Sequence, residues 1–359
     1  MAGISDWGNR LHSGETSYPI VQQRKRWLLI SLGLVAICVG ILLIKGLNPG
    51  IDFRGGTEYT LSEVSNVDTT IARDLIKNEL PAEEPRIVVV GGDSVRIQLG
   101  QLEQSDILDL RQKLADAYDI EAADVSSSFI GPTWSKDVSN KAVQGLVVFM
   151  LLVTLVLTVY FRAWRMAVAA LVALIHDLVF TVGIYALVGF EVTPASVIGF
   201  LTILGYSLYD TVVVFDKVKE NTHELTSQHR YTYAELANLA VNQTLVRSIN
   251  TSVVALLPVA AILFIGSYVL GAGTLQDISL ALFVGMAVGT FSSIFVATPL
   301  EVVLRQREAR IAKHNEEVQR SREGGKSDVV REDGTVRVGA LQPGHHQGTA
   351  AQPRRKRRK

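Results

Sequence analysis

Six apolar runs, each about as long as a helix that crosses a bilayer, constrain this chain more than any other feature of its sequence. A helix needs roughly 20 apolar residues to span the hydrocarbon core. Hydrophobic residues make up 48% of the chain and charged residues only 19%, a balance typical of a polytopic membrane protein. We therefore predict an α-helical membrane protein with six transmembrane helices, at residues 27–45, 142–161, 166–188, 194–215, 247–270 and 275–299.

The distribution of charge indicates which parts of the chain face the cytoplasm. Basic residues flank alternate connections between the runs, as they do on the cytoplasmic side of membrane proteins. Segment 47–140 has 17 acidic against 8 basic residues, whereas segment 301–359 has 15 basic against 8 acidic residues. The first run follows Arg24-Lys25-Arg26 and lacks a small-residue cleavage site, so we expect a retained helix instead of a removed signal peptide. Both termini are therefore predicted to be cytoplasmic.

These boundaries predict the organisation of the whole chain. We expect a cytoplasmic segment at 1–26, helix 1 at 27–45, an extracytoplasmic domain at 46–140, helices 2–6 within 141–300 with a cytoplasmic loop at 216–246, and a basic, largely disordered cytoplasmic tail at 301–359.

The segment between the first two runs has the pattern of a small α+β domain. Strand-like alternation, helical spacing and a Gly91-Gly92-Asp93 turn signal give the order β-α-β-β-α-β. That order predicts a ferredoxin-like sandwich. The expected elements are strands at 57–64, 86–90, 94–99 and 124–130, and helices at 68–80 and 103–118.

The tail ends in the basic run 354–359. Such a run is solvated, or it contacts anionic lipid headgroups or ribosomal RNA at the membrane surface. We do not expect binding to a specific nucleic acid, because the run is not part of a basic fold with interleaved aromatic residues. Cys38, the only cysteine, lies in an apolar run, so an internal disulfide is not possible.

Asp210 is the strongest candidate for a functional residue, because it lies inside the apolar run 194–215. A carboxylate in the bilayer costs roughly 2.5–3.5 kcal/mol on insertion scales. Arg247 opens the next run, and antiparallel helices would hold the two side chains at similar depth. An apolar medium favours a protonated carboxyl group and a guanidinium favours an ionised one, so the pair suits binding and release of a proton. Asn250 and Thr251 are candidate supporting groups beside Arg247.

A static role is the alternative for these charges. A buried ion pair can fix helix packing without further function, and Arg247 can extend towards the lipid headgroups. His176-Asp177 interrupts the third run in the same way. The two residues form a second titratable station or a polar pair that is hydrogen-bonded between helices. Gly285 and Gly289 have the spacing that permits close helix packing.

Motifs for enzymatic catalysis are lacking. Ser207 is not in a Gly-x-Ser-x-Gly elbow, which leaves an intramembrane hydrolase as a distant alternative. The chain has no Walker A sequence, His-Glu-x-x-His motif or paired cysteines. We expect a non-enzymatic protein without a cofactor, driven by a proton gradient that supplies roughly 2.3 kcal/mol per charge and 100 mV.

Four segments resemble the signatures of the SecF family, the smaller subunits of bacterial SecD–SecF protein-export complexes in the resistance-nodulation-division superfamily. They are Gly50-Ile-Asp-Phe-Arg-Gly-Gly-Thr57 and the segments 207–216, 247–252 and 289–300. The resemblance covers about 27–305 and implies a location in the bacterial cytoplasmic membrane. It implies a SecD-like partner that supplies six further helices, and a role beside the SecY–SecE–SecG channel. There the pair would assist late translocation of unfolded polypeptides with the proton-motive force.

The resemblance also implies roles for individual residues. Asp210 matches the family's proton-linked aspartate and Arg247 its arginine, and the SecD-like partner would supply another aspartate. Tyr209 departs from the family pattern, which has Asn before the aspartate. We expect Gly55, Gly56 and Gly131 to act as hinges that pass motion to the outward domain. The alternatives are a small-molecule exporter subunit of the same superfamily and a non-catalytic membrane scaffold.

Overall fold

The computed structural model describes residues 2–90, 93–228, 230–267 and 273–323. Within these residues, six helical segments are long and apolar enough to cross a membrane. The helices are α1 Ala2–His12, α2 Arg24–Lys45, α3 Ile51–Arg54, α4 Thr69–Glu79, α5 Gln104–Tyr118, α6 Pro132–Phe161, α7 Trp164–Val188, α8 Pro194–Asn221, α9 Tyr233–Ala261, α10 Gly273–Ser292, α11 Thr298–Arg305 and α12 Ala309–Glu323. The π-helical segments Ile262–Ser267 and Ser293–Ala297 continue α9 and α10.

The spanning helices extend beyond the apolar runs that predict them. Helix α6 begins at Pro132, where proline is tolerated in the first turn. Helix α8 continues to Asn221 and α9 begins at Tyr233, so much of the expected loop at 216–246 is helical. Thr232 and Glu235 form a capping box that starts α9. Apolar runs stop at charged residues, whereas backbone hydrogen bonding continues through them.

The domain between α2 and α6 has the predicted ferredoxin-like fold. Its strands are β2 Gly56–Leu61, β3 Arg86–Val90, β4 Ser94–Leu99 and β5 Val125–Ile130, while β1 Asn48–Pro49 and β6 Glu191–Val192 form a separate pair. The four-stranded sheet is antiparallel, in the order β3-β4-β2-β5. Tyr59, Ile97 and Leu114 are fully buried in its core. We call residues 56–130 the inserted domain; the Gly91-Gly92 turn lies outside the described residues.

Small residues allow close packing in the membrane bundle. A Cβ atom at Gly289 of α10 would lie 2.9 Å from Ser207 Cβ of α8, and one at Gly285 would collide with Ile203. Gly183 of α7 leaves similar space for Cys38 of α2. The predicted use of Gly285 and Gly289 for close helix packing is therefore confirmed.

The end of the bundle that carries α1 and α12 has its own apolar core. We call it the termini core, and it includes Leu11, Val21, Val218, Tyr233, Val302 and Ile311. Asn238 Oδ1 accepts a hydrogen bond from the Val21 backbone at 3.0 Å, and Asn242 Oδ1 accepts one from Tyr18 at 2.7 Å. These contacts hold the N-terminal segment against α9. The tail predicted at 301–359 to be largely disordered is instead helical in α11 and α12 as far as Glu323, and the rest of it, with the basic run 354–359, lies outside the described residues.

Candidate functional site

Asp210 is buried among three helices, with only 6% of its surface exposed. Ser248 of α9 donates a hydrogen bond to Asp210 Oδ1 at 2.6 Å. Ser293, which follows α10, donates to Asp210 Oδ2. Both carboxylate oxygens therefore have a hydroxyl partner from a neighbouring helix, and the described residues form no ion pair with Asp210.

Asp177 of α7 forms a second polar centre and is completely buried. Its Oδ2 atom accepts hydrogen bonds from Ser207 at 2.5 Å and from Ser292 at 2.8 Å. His176 Nδ1 lies 3.1 Å from Asp177 Oδ1. The buried Nε2 atom of His176 has no hydrogen-bond partner among the described residues. Three helices thus meet at Asp177, as they do at Asp210.

Two pairs of residues connect these centres. Ser207 lies three residues before Asp210, so both share one face of α8. Ser292 and Ser293 are adjacent, at the point where α10 changes to π-helical geometry. Single π-helical turns inside α-helices occur frequently at functional sites. The sequence therefore brings Asp177 and Asp210 into one connected polar cluster, which we call the carboxylate cluster.

Arg247 is not part of this cluster. It is exposed on the side of α9, and its Nη2 atom donates to the Tyr209 hydroxyl at 3.2 Å. Tyr209 is itself 53% exposed. Successive helical residues point about 100° apart, so Ser248 faces Asp210 while Arg247 faces outward. The expected pairing of Arg247 with Asp210 is absent, because similar depth does not give the same direction.

The supporting residues predicted beside Arg247 are also outside the carboxylate cluster. Asn250 is exposed, and Thr251 donates to the Arg247 carbonyl at 2.8 Å within its own helix. His176 and Asp177 are within it. The reasoning from sequence missed Ser248, Ser292 and Ser293. The available signal was the occurrence of consecutive or closely spaced hydroxyl residues inside apolar runs.

The predicted hinge glycines lie at the two ends of the inserted domain. Gly55 and Gly56 have φ angles of +78° and +137°, which favour glycine. A Cβ atom at Gly56 would also collide with the Leu99 carbonyl oxygen. Gly131 has an extended conformation and precedes α6. Their role as hinges stays a prediction.

The carboxylate cluster is suited to proton exchange. A serine hydroxyl donates to an ionised carboxylate and accepts from a protonated one, so both forms of Asp210 can be hydrogen-bonded in place. Among the described residues, no three His, Cys, Asp or Glu side chains converge as metal ligands do.

Two family models match the chain. The model described as protein export membrane protein SecD/SecF, C-terminal, matches residues 110–307, and the SecD/SecF GG motif matches residues 40–62. The second match includes Gly55 and Gly56. The first covers more than half of the chain and contains the carboxylate cluster.

Curated relatives agree with these models. Protein translocase subunit SecF of Streptomyces coelicolor is 49% identical over 312 residues, which are 87% of this chain and 83% of the relative. Protein translocase subunit SecF of Mycobacterium tuberculosis is 42% identical over 329 residues, which are 88% of this chain and 74% of the relative.

A solved structure shares the architecture. The crystal structure of SecDF, a translocon-associated membrane protein from Thermus thermophilus, superimposes with a TM-score of 0.72 and 33% identity. The match covers 82% of this chain but only 39% of the SecDF chain. The predicted arrangement of six membrane helices with an inserted α+β domain is confirmed.

Proposed function

This chain belongs to the SecD/SecF family of protein-export membrane proteins, as a SecF subunit of the Sec protein translocase, and from that premise we propose that Asp210 couples protein export to the proton-motive force. The chain is a multi-pass membrane transport protein and not an enzyme. In the proposed cycle, Asp210 binds a proton in one arrangement of the helices and releases it in another.

The observation that carries this proposal is that, in the described part of the chain, the hydrogen-bond partners of the buried Asp210 carboxylate are hydroxyl groups and not cations. Ser248 and Ser293 are the hydrogen-bond partners of Asp210 among the described residues. A structural ion pair would need a cation there, because an uncompensated charge in an apolar interior is costly. Hydroxyl partners instead accommodate the ionised and the protonated form.

The exposed position of Arg247 supports a SecD-like partner. Arg247 of α9 and Tyr209 of α8 are exposed, and the same two helices also expose apolar side chains, among them Ile198, Val253, Val254 and Leu257. A guanidinium that faces lipid is unfavourable, so a carboxylate from another protein would stabilise it. The SecDF chain of Thermus thermophilus is more than twice as long as the part that this chain matches. We propose that a SecD-like subunit covers these exposed side chains and completes the proton site.

Basic residues indicate how the chain is oriented in the membrane. Contacts gather basic residues at the end of the bundle that carries α1 and α12: Arg24 donates to Gln306 at 3.2 Å, and Arg165 lies 3.3 Å from Glu308. The positive-inside rule then favours cytoplasmic termini and an extracytoplasmic inserted domain in the bacterial inner membrane. This orientation fits three kinds of partner: the SecY–SecE–SecG channel, polypeptides at a late stage of export, and membrane lipids. The hydrolase alternative is not favoured, because Ser207 is buried and donates to Asp177.

Replacement of one carboxylate tests the proposal. In the complex with a SecD-like partner, Asp210→Asn should abolish the part of secretion that depends on the proton gradient while leaving protein levels normal. Asp216→Asn is the matched control, since it makes the same change on α8 at a residue that is bonded by Tyr160 outside the carboxylate cluster. Full gradient-dependent secretion by Asp210→Asn would refute the proton role.

A further inference from the structure

The turn between α7 and α8 joins the two helices that carry Asp177 and Asp210. Glu191 in this turn extends towards the inserted domain, and its Oε1 atom accepts a hydrogen bond from Gln98 Nε2 at 2.6 Å. Arg96 Nη1 lies 3.6 Å from Glu191 Oε2. The side chain of Glu191 is only 12% exposed. One residue of the membrane bundle is thus held by two residues of strand β4.

The contact reaches further into the sheet. Gln98 is completely buried, and its Nε2 atom also donates to Glu58 Oε2 at 2.9 Å. Arg96 Nε lies 3.8 Å from Glu58 Oε1, so one guanidinium stands between two carboxylates. Glu58 and Gln98 are directly paired across strands β2 and β4. Removal of the carboxylate from water raises the pKa of Glu58, as expected for a contact that excludes solvent.

Backbone contacts fix Glu191 in position. Asn48 and Pro49 pair in parallel with Glu191 and Val192, and the Gly50 amide donates to the Val192 carbonyl at 2.9 Å. A Cβ atom at Gly50 would lie only 2.7 Å from Glu191 Oε1. Glycine at position 50 therefore leaves room for this carboxylate, and the contacts with Gln98 and Arg96 set its direction.

The same turn contacts the other side of the bundle. Thr193 caps the start of α8, and its hydroxyl donates to Asp277 of α10 at 3.0 Å. Helix α10 leads to Ser292 and Ser293. All three helices that form hydrogen bonds at Asp177 are therefore connected to the turn that carries Glu191.

We propose that Glu191 is the positioning residue that transmits rearrangement of α7 and α8 to the inserted domain, through a contact with Gln98 and Arg96 that persists during the cycle. This inference rests on the proposed role of Asp210. Because the contact is buried and charge-assisted, it moves the sheet with the turn. Loosely packed or solvated contacts would instead let the domain slide.

Substitutions at Glu191 test the link in the complete complex with the SecD-like partner. Glu191→Ala removes both contacts and should reduce secretion to the level measured without a proton gradient. Glu191→Gln keeps an acceptor for Gln98 and should retain more gradient-dependent secretion than Glu191→Ala. A purely local packing role would lower protein level or thermal stability, with the ratio of gradient-dependent to gradient-independent secretion unchanged.

A covalent replacement of the contact provides the sharper test. Because Cys38 is the only cysteine, a Cys38→Ala background permits the pair Gln98→Cys with Glu191→Cys. This pair should lose gradient-dependent secretion, and a short bifunctional thiol reagent should restore it. The control pair Glu79→Cys with Lys113→Cys links two helices within the inserted domain, where the native side chains lie 2.6 Å apart. Cross-linking there should change nothing.

The outcomes separate this inference from the proton role. Undiminished gradient-dependent secretion by Glu191→Ala, or a cross-linked Gln98–Glu191 cysteine pair that stays as defective as the untreated pair, would overturn the persistent link. If Asp210→Asn abolishes gradient dependence in the same assays, the proton role still stands. If the Asp210→Asn protein retains gradient-dependent secretion, the proton role of Asp210 is refuted, whatever the result at Glu191.

Discussion

Ser292 and Ser293 are consecutive residues, yet their hydroxyl groups donate to carboxylates on two different helices, Asp177 and Asp210. Consecutive helical residues point about 100° apart, so α10 contacts α7 with one serine and α8 with the other. A displacement of α10 consequently alters the hydrogen bonds of both carboxylates. The hydrogen bonds of Asp177 and Asp210 are therefore coupled through α10.

Ser293→Ala should weaken proton coupling without abolishing it. The change leaves Asp210 Oδ2 without its hydroxyl partner, and an unsatisfied buried acceptor costs about 1–3 kcal/mol. Gradient-dependent secretion should fall, but less than in Asp210→Asn. Ser279→Ala is the matched control on α10, since that buried hydroxyl donates only to backbone carbonyls of its own helix. Equal secretion by the two serine variants would contradict the prediction.

Gly289→Ala should destabilise the bundle. The added methyl group would lie 2.9 Å from Ser207 Cβ, which belongs to the helix and is not the free end of a flexible side chain. Such overpacking typically costs about 1–3 kcal/mol. The thermal unfolding midpoint of the purified protein in detergent should decrease. Gly145→Ala on α6 meets no described atom within 4 Å and should leave the midpoint unchanged or raise it; equal decreases for both would argue against close packing as the reason.

Arg247→Ala should affect the complex and not the isolated chain. The side chain is exposed, and within the described part of the chain it makes one hydrogen bond, to the Tyr209 hydroxyl. Thermal stability of the chain alone should change little, whereas co-purification with the SecD-like subunit and gradient-dependent secretion should both decrease. Arg307→Ala removes an exposed cation near the termini core and serves as the control. Normal association of the Arg247→Ala protein would exclude the proposed interface.

Asp68 should make the stability of the inserted domain depend on pH. Its carboxylate caps α4, accepting from the Thr70 amide at 2.9 Å and the Thr70 hydroxyl at 2.8 Å. These hydrogen bonds lower the pKa of Asp68 below its ordinary value of 3.8. A lowered folded-state pKa gives stability that is present above the unfolded-state pKa and lost as pH falls through the folded-state value.

The comparison of wild type with Asp68→Asn measures this contribution. Asparagine keeps a cap acceptor but does not titrate, so the difference in thermal midpoint should shrink as pH falls from about 6 to about 3. A difference that stays constant over this range would show that the charge of Asp68 does not contribute.

The inserted domain was predictable because its signals are local. Strand alternation and turn residues gave the bounds of β3 and β4 without error, and Asp68 marked the start of α4. The first residues of α6 and α9 were harder to predict from the sequence. The first turns of α6 are polar, and the first part of α9 mixes apolar residues with Glu235, Asn238 and Asn242, so a count of apolar residues begins later than either helix does. Helix α1 was missed for the same reason.

The carboxylate cluster could be predicted only in part. Asp210 was found because a single carboxylate in an apolar run is costly wherever the run folds. The direction of Arg247 depends on the rotation of α9 about its axis, which depth along the membrane does not define. The roles of Ser248 and Ser293 were hard to predict, because serine is tolerated throughout helices. A serine indicates a polar site only when a carboxylate lies opposite it.

The termini core has a mechanical consequence for the helices that pass through it. It packs the N-terminal segment, α12 and the adjoining ends of α8 and α9 together, whereas the opposite end of α8 is a short turn that contacts the inserted domain. Helix α8 has 28 residues, so a rotation about this core would move its far end the most. At about 1.5 Å per residue, a tilt of about 5° displaces the far end by roughly 4 Å. A small change of tilt near Asp210 would thereby be enlarged at Glu191.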